Sequence, residues 1–392
     1  MNEKKAIFII NILKNIIEVY FDTFFVFYFF KVANYEVLPL AKYYITLYLF
    51  IGIGFFVIRK AIKKNIKVPY FRIGISMQAV YIALIMLLKD NIISFVYLVG
   101  FVKGIADGFY HYPKNLLNTE KVTNDDRQKF DGIVNIINKI VAIIIPLSLG
   151  ILLTFFSYTS LGKIFFILFV VMFIISFYLK DNYFHEQNFE TKKFIHLIKE
   201  NKNIRHALIE PLLSGLTFSS GVMGTIITLS KIYNFKTNLN LGFVDSICAA
   251  ISLLACILFA LKIKKNDFSK VMIFSGSISF IVLLMFAFIP NKTNLIIYLL
   301  VRNSLITSIS LISSVVITNM SNCSELNEQY KPEFYCIRDI FYSISRCFGY
   351  IILLMVCLTV GMDYINYIMI LPALSILIES IIIAKLSKNN AS

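Results

Sequence analysis

Tryptophan is absent from this chain, and histidine occurs only four times in 392 residues. His111, His185, His196 and His206 form neither an HxxxH nor an HExxH pair, which removes the paired imidazoles of a helical zinc site. The six cysteines, Cys248, Cys256, Cys323, Cys336, Cys347 and Cys357, lie in the second half without a CxxC pair. All but Cys323 fall inside apolar runs, so they read as reduced packing residues rather than a disulfide framework. No Gly-rich phosphate loop of the Walker type occurs, which argues against ATP-driven chemistry by this chain alone. With no metal-ligand pair and no nucleophile beside a base, the expectation is a protein that is not an enzyme and holds no cofactor. Acidic residues are scarce too, 23 against 38 basic, and charged residues make up only 16% of the chain.

What is abundant is apolar: 58% of residues are hydrophobic, and the mean hydropathy is +0.75. A soluble core cannot hide that much, so the composition reads as an all-α integral membrane protein. Apolar runs close to the roughly 20 residues that cross the hydrocarbon recur along the chain, whereas a membrane barrel would alternate over strands of about ten. About twelve transmembrane helices are expected, near 8–31, 37–58, 69–88, 91–117, 131–156 and 161–179, then 207–231, 240–261, 270–290, 293–318, 335–359 and 364–386. The polar stretch KDNYFHEQNFETKKFIHLIKENKNIRH separates the two sets. The expected organisation is a six-helix bundle over 1–179, a cytoplasmic linker over 180–206 and a second six-helix bundle over 207–392.

Lys and Arg in short loops favour the cytoplasmic side. They cluster at Arg59, Lys60, Lys63, Lys64 and Lys67, at Lys192, Lys193, Lys199 and Lys202, and at Lys262, Lys264, Lys265 and Lys270. Both termini are therefore expected in the cytoplasm of a bacterial cell, with the chain in the cytoplasmic membrane. The net charge of +15 has the same origin and reads as topology and contact with anionic membrane lipids, not as nucleic-acid binding. The start MNEKKAIFII is basic, but the segment keeps Asn11, Asn15, Glu18 and Asp22 and has no small-residue cleavage site, so it reads as a retained helix.

Within span four, VGFVKGIADGFYHYPKNLL places Lys103, Asp107, His111 and Lys114 within roughly 80° of one another on a helix. Span ten carries an echo. Aligning FVKGIADGFYHYPKNLLNTE with LVRNSLITSISLISSVVITNM puts Lys103 on Asn303, Asp107 on Thr307, Tyr110 on Ser310 and Lys114 on Ser314. Span one has a stripe of Asn11, Asn15, Glu18 and Asp22, and span seven one of Glu210, Ser214, Thr217, Gly221, Thr225 and Thr228. A charge at the bilayer centre costs about 2.5–3.5 kcal/mol even on lenient scales, so these faces are expected to turn toward a shared polar path.

Two six-helix halves joined by a linker, with helices one, four, seven and ten lining a path, resemble the major facilitator superfamily of secondary transporters. Gly108, Phe109 and Tyr110, followed by Glu120, Arg127, Phe130 and Gly132, are similar to a group of bacterial members, as are Glu333, Arg338, Asp339, Ile340 and Phe341 at the entry to span eleven. The family's loop between spans two and three usually reads like G-x-x-x-D-R-x-G-R-R. Here it is GFFVIRKAIKKNIK, so the gating salt bridge of that motif is not carried over. A span-five exporter motif is echoed only by Pro146 and Gly150.

The resemblance implies a transporter of a small molecule that works by alternating access around a midplane site. The residues expected to handle substrate or protons are Glu18, Asp22, Lys103, Asp107, His111, Lys139, Asn303, Thr307 and Arg346. Glu18 or Asp22 is expected to pair with Lys103 across the cavity, and either carboxylate or Asp107 to accept protons in competition with it. Lys139 and Arg346 are expected to hold an anionic substrate group, or Arg346 to pair with Asp339. His111 reads as a proton shuttle or a packing residue. Proton coupling is expected over sodium, export over uptake, and a monomer. A flippase for amphiphiles and a non-transporting receptor on the same fold stay open, separated by whether binding occurs without flux. The topology predicts that a reporter active only in the cytoplasm will be active when fused after Ser392 and inactive when fused after a truncation at Lys89; activity at both positions refutes it.

Overall fold

The computed structural model describes residues 2–62, 66–121, 124–181, 191–231, 238–321 and 331–389, and among them the secondary structure is helical, with no strand. Side chains of Glu120, Arg127, Phe130 and Gly132, and residues Lys63, Lys64, His185 and Cys323, lie outside what is described, as does 182–190 of the expected linker.

The chain divides into two compact units, one of Met1–Gln187 with Phe235–Ile247 and one of Asn188–Asn234 with Cys248–Ser392. The first begins with α1 (Glu3–Val19), which passes through a π-helical segment (Tyr20–Phe25) into α2 (Val26–Val32). It continues with α3 (Val37–Ile62), α4 (Val68–Leu88), α5 (Val96–Lys121), α6 (Asn124–Phe155) and α7 (Tyr158–Ser176). After it come α8 (Thr191–Glu200), α9 (Lys202–Lys231), α10 (Asn238–Lys262) and α11 (Phe268–Phe288). Next, α12 (Lys292–Val301) passes through a second π segment (Arg302–Ile306) into α13 (Thr307–Ser321), followed by α14 (Lys331–Thr359) and α15 (Ile370–Asn389).

Ten helical stretches among the described residues are long and apolar enough to cross a membrane, by length and composition. The run of residues 3–32 and α5 are also helical, and it is their charged and polar side chains, not their lengths, that keep them off that count. The chain is thus an all-α, multi-pass membrane protein.

Short polar connections carry the helix caps. Asn2 accepts from the Lys5 N–H at 2.9 Å, Ser157 from Ser160 at 3.2 Å and Asn291 from Asn294 at 2.8 Å, each satisfying a donor that the first helical turn leaves free. Pro69 opens α4, where its missing N–H costs nothing, and Asp181 accepts from the Lys67 and Val68 N–H groups, each at 2.9 Å. Asp181 thereby ties the end of the first unit to the start of its third long helix.

In the first unit, α5 packs against both α3 and α4. Gly104 makes the first contact possible: a Cβ there would sit 2.8 Å from the Phe50 Cβ. Gly74 does the same for the second, where a Cβ would lie 2.6 Å from the Tyr110 backbone nitrogen. Such small-residue contacts let helix backbones approach where water supplies no driving force. Phe21, Phe25 and Phe29 line up along the first helical run and pack on Tyr43 and Tyr81, whose hydroxyls meet at 2.8 Å. Phenylalanine and tyrosine thus build the core in a chain without tryptophan.

The second unit is more aliphatic. Ile309 and Ile312 of α13, Ile376 and Ile383 of α15, and Met272 of α11 share one buried cluster. Phe194 of α8 is fully buried in it, with Leu197 and Ile198 packed against it, so this short amphipathic helix is docked by its apolar edge.

Substituting Gly104 or Gly74 by Val is expected to lower stability by about 1–3 kcal/mol through overpacking, read as an earlier thermal unfolding of the detergent-purified protein. A wild-type unfolding curve for both variants refutes the close-approach argument.

Candidate functional site

Asp107 is the centre of the polar interior of the first unit. Its Oδ1 accepts from Lys103 Nζ at 2.8 Å and from Gln78 Nε2 at 3.0 Å, and Lys14 Nζ stands 3.7 Å away. Lys14 also pairs with Glu18 at 3.1 Å, one turn along α1. Two cations and two carboxylates are therefore brought together by α1 and α5, with Gln78 joining from α4, and their formal charges cancel. Aromatic faces complete the shell. Lys14 Nζ lies 5.1 Å from the Tyr110 ring centroid, and Lys103 Nζ lies 5.2 Å from that of Phe21 and 5.5 Å from that of Tyr81. Ring faces attract cations where water is excluded, so these contacts add to the carboxylate pairing of both lysines.

This arrangement corrects the expected pairing. Lys103 takes Asp107 on its own helix, at the i,i+4 spacing, rather than Glu18 or Asp22 across a gap. The reason is Lys14, a fully buried cation absent from the polar stripe read in the sequence, which claims Glu18 first. An i,i+4 pair holds the two groups on neighbouring turns with little loss of freedom, whereas a cross-helix pair must be placed by packing.

Glu18 and His111 form the open edge of the network. Their side chains are 35% and 34% exposed, and His111 Nε2 lies 3.7 Å from Glu18 Oε1. Lys114 is stacked 5.8 Å from the Tyr110 centroid. Asp22 lies in the π segment and is exposed. Lys139 is half-buried on α6, beside the Asn138 carbonyl that accepts from Asn15 at 3.3 Å, and forms no ion pair among the described residues. Tyr110 and Tyr112 are fully buried and serve packing.

In the second unit, a cavity of about 380 Å³ is lined by α9, α13, α14 and α15. Its charged groups are Glu210, Arg338, Asp339 and Glu379, and its hydroxyls include Thr217, Ser310, Ser313 and Ser314. Glu379 is 2% exposed and accepts from Thr217 and Ser313, both at 3.3 Å. It had no place among the expected site residues. The sequence signal was available: one carboxylate in the middle of the last apolar span, which is costly without a role.

The expected stripe of span ten does not stay on one face. Asn303 and Thr307 turn to Ser252 of α10, whose hydroxyl donates to the Asn303 carbonyl at 2.9 Å and lies 3.3 Å from the Thr307 hydroxyl. Ser310 and Ser314 line the cavity instead. Asn303 lies inside the π segment Arg302–Ile306, while Thr307, Ser310 and Ser314 follow it in α13. Arg346 is held between two rings, 3.8 Å from the centroid of Phe218 and 4.1 Å from that of Tyr342.

Compared with known proteins, residues 43–350 match the model of the Major Facilitator Superfamily. The uncharacterized protein YqgE of Bacillus subtilis (strain 168) is 24% identical over 265 residues, covering 67% of this chain and 61% of that relative, so the match spans about three fifths of the relative's length. The nucleoside transporter NupG superposes with a TM-score of 0.70 at 14% identity over 98% of this chain and 99% of its own. A bacterial homologue of the iron transporter ferroportin, in an inward-facing state, gives 0.68 at 14% identity over 98% of each chain. The E. coli fucose:proton symporter FucP gives 0.63 at 12% identity over 100% of this chain and 98% of its own.

Removing one partner from a buried ion pair strands the other, typically at about 3–5 kcal/mol. Lys103→Met is expected at the low end, about 3 kcal/mol, because Lys14 and Gln78 still face Asp107. The double variant Lys103→Met/Asp107→Asn should recover more than half of that loss in thermal unfolding. A double variant as unstable as the sum of its singles refutes the coupling.

Proposed function

This chain belongs to the major facilitator superfamily, and from that premise we propose that it is a secondary active transporter, moving a small molecule across the bacterial cytoplasmic membrane by alternating access and coupled to protons. It works as a monomer surrounded by lipid, with both termini in the cytoplasm, as the basic loops favour. The observation that carries the reading is the balanced network of Lys14, Glu18, Lys103 and Asp107. Intramembrane charge is expensive, and a transport fold that keeps four such groups uses them.

The network has an inner and an outer part. Asp107 and Lys103 are sealed, while Glu18 and His111 reach the open edge, where protons can arrive. In this reading, protonation of Glu18 weakens its hold on Lys14, which lies between Glu18 and Asp107, so a change at the open edge reaches the buried pair in one step. Substrate polar groups enter the same competition. A proton symporter among the structural neighbours supports the proton as the coupling ion. The outward direction rests on the span-five echo at Pro146 and Gly150.

The test compares small molecules inside and outside cells that lack this protein, overproduce it, or overproduce Glu18→Gln. The expected outcome is at least one compound whose distribution follows the wild-type protein, with the rate falling about tenfold or more in the variant, the equivalent of roughly 1.4 kcal/mol. No compound changing in any strain overturns the transport reading. A compound transported equally well by Glu18→Gln, with unchanged dependence on external pH, overturns the coupling.

A further inference from the structure

The two units satisfy their buried carboxylates in different ways. In the first, each carboxylate has a lysine. In the second, Glu379 is 2% exposed, faces the 380 Å³ cavity, and receives only two hydroxyl hydrogen bonds, both long at 3.3 Å. Among the described residues no lysine, arginine or histidine forms an ion pair with it. Glu210, 8% exposed, lines the same cavity. The lining also holds Asp339 and the guanidinium of Arg338. The Arg346 guanidinium stacks on Phe218 and Tyr342, two rings of the same lining, so a second cation stands at the aromatic wall.

A buried carboxylate without a cation is costly, and the cost falls when a positive group enters beside it. The rest of the lining bears on what kind of group that is. Serine and threonine hydroxyls both donate and accept, so they can orient a polar solute. The rings of Phe218 and Tyr342 offer apolar surface at one wall. A void of this volume is within the range that holds small organic ligands.

We propose that this cavity is a binding site for an amine-bearing organic solute, whose ammonium group takes the place of the missing counter-charge at Glu379, with Glu210 as the second carboxylate. Thr217 and Ser313 hold the Glu379 carboxylate toward the cavity, and the solute's non-ionic part lies along the hydroxyls and the aromatic wall. The inference rests on the transporter reading for its physiological meaning, since it names the substrate class, but the site itself is defined by binding.

The experiment uses the purified full-length protein and follows thermal unfolding by circular dichroism. The probes are benzylamine, putrescine and choline, each set against its neutral counterpart (benzyl alcohol, butanediol and dimethylbutanol), with sodium chloride matching ionic strength. A ligand that binds only the folded form raises the unfolding midpoint in proportion to its affinity. At least one amine is expected to raise the midpoint while its neutral counterpart does not, and Glu379→Gln is expected to weaken that amine about tenfold or more. No shift with any amine, an equal shift with the neutral counterparts, or unchanged affinity in Glu379→Gln overturns the assignment. If Glu379→Gln does not fold, Glu210→Gln must show the loss, and unchanged affinity there overturns it as well. Because the readout is binding, it is separate from flux: cells with no transported compound count against the transporter reading, and an absent amine response counts against this cavity.

Discussion

The polar interior of the first unit depends on one constraint: charge placed where water is scarce must be answered by charge. Asp107 is answered by Lys103 and Lys14, and Lys14 in turn by Glu18. Around that core the helices are arranged so that no member is left alone. Gln78 comes from α4, Lys14 from α1, and the aromatic faces of Phe21, Tyr81 and Tyr110 from three helices. The close approaches at Gly74 and Gly104 bring α5 against α4 and α3, and so position Asp107 within reach of its partners. Helix packing and charge pairing here are one arrangement, since Lys103 and Asp107 stay buried only while α3 and α4 cover them.

The second unit follows a different rule. Its buried Glu379 sits among hydroxyls, and the polar residues of its tenth span meet two different neighbours, Asn303 and Thr307 at Ser252 of α10 and Ser310 and Ser314 at the cavity. A π segment also interrupts the first helical run, at Tyr20–Phe25, next to Glu18. Both interruptions fall where a polar stripe crosses the hydrocarbon. Wider turns of this kind free backbone groups and redirect side chains, and they recur at functional positions in helices. Two halves that echo one another in sequence therefore diverge in chemistry, the first pairing Asp107 with lysines and the second holding Glu379 by hydroxyls.

Much of this was legible before any coordinates. Apolar runs of membrane length and basic loops sufficed for the class, and periodicity placed Lys103 and Asp107 on one face. The pairing was misread at Lys14, because a single lysine in an apolar helix looks like a flanking charge until its depth is known. Glu379 was passed over for a related reason: the last span has no stripe around it, only one carboxylate. Neither error concerns helix formation. Both concern which side chains from distant segments arrive at the same point.

By itself, then, the sequence determined what local physics can decide: that the chain is helical, that it crosses the membrane many times, and which helices carry polar faces. Length, hydropathy and a 3.6-residue period are properties of single segments, so they need no tertiary information. Only the tertiary structure decided the partners. Lys103 turned to its own helix because Lys14 had already claimed Glu18, and Asn303 and Thr307 found Ser252 of α10 while the serines after them line the cavity. Those outcomes depend on depth, helix crossings and local register, which no single segment specifies.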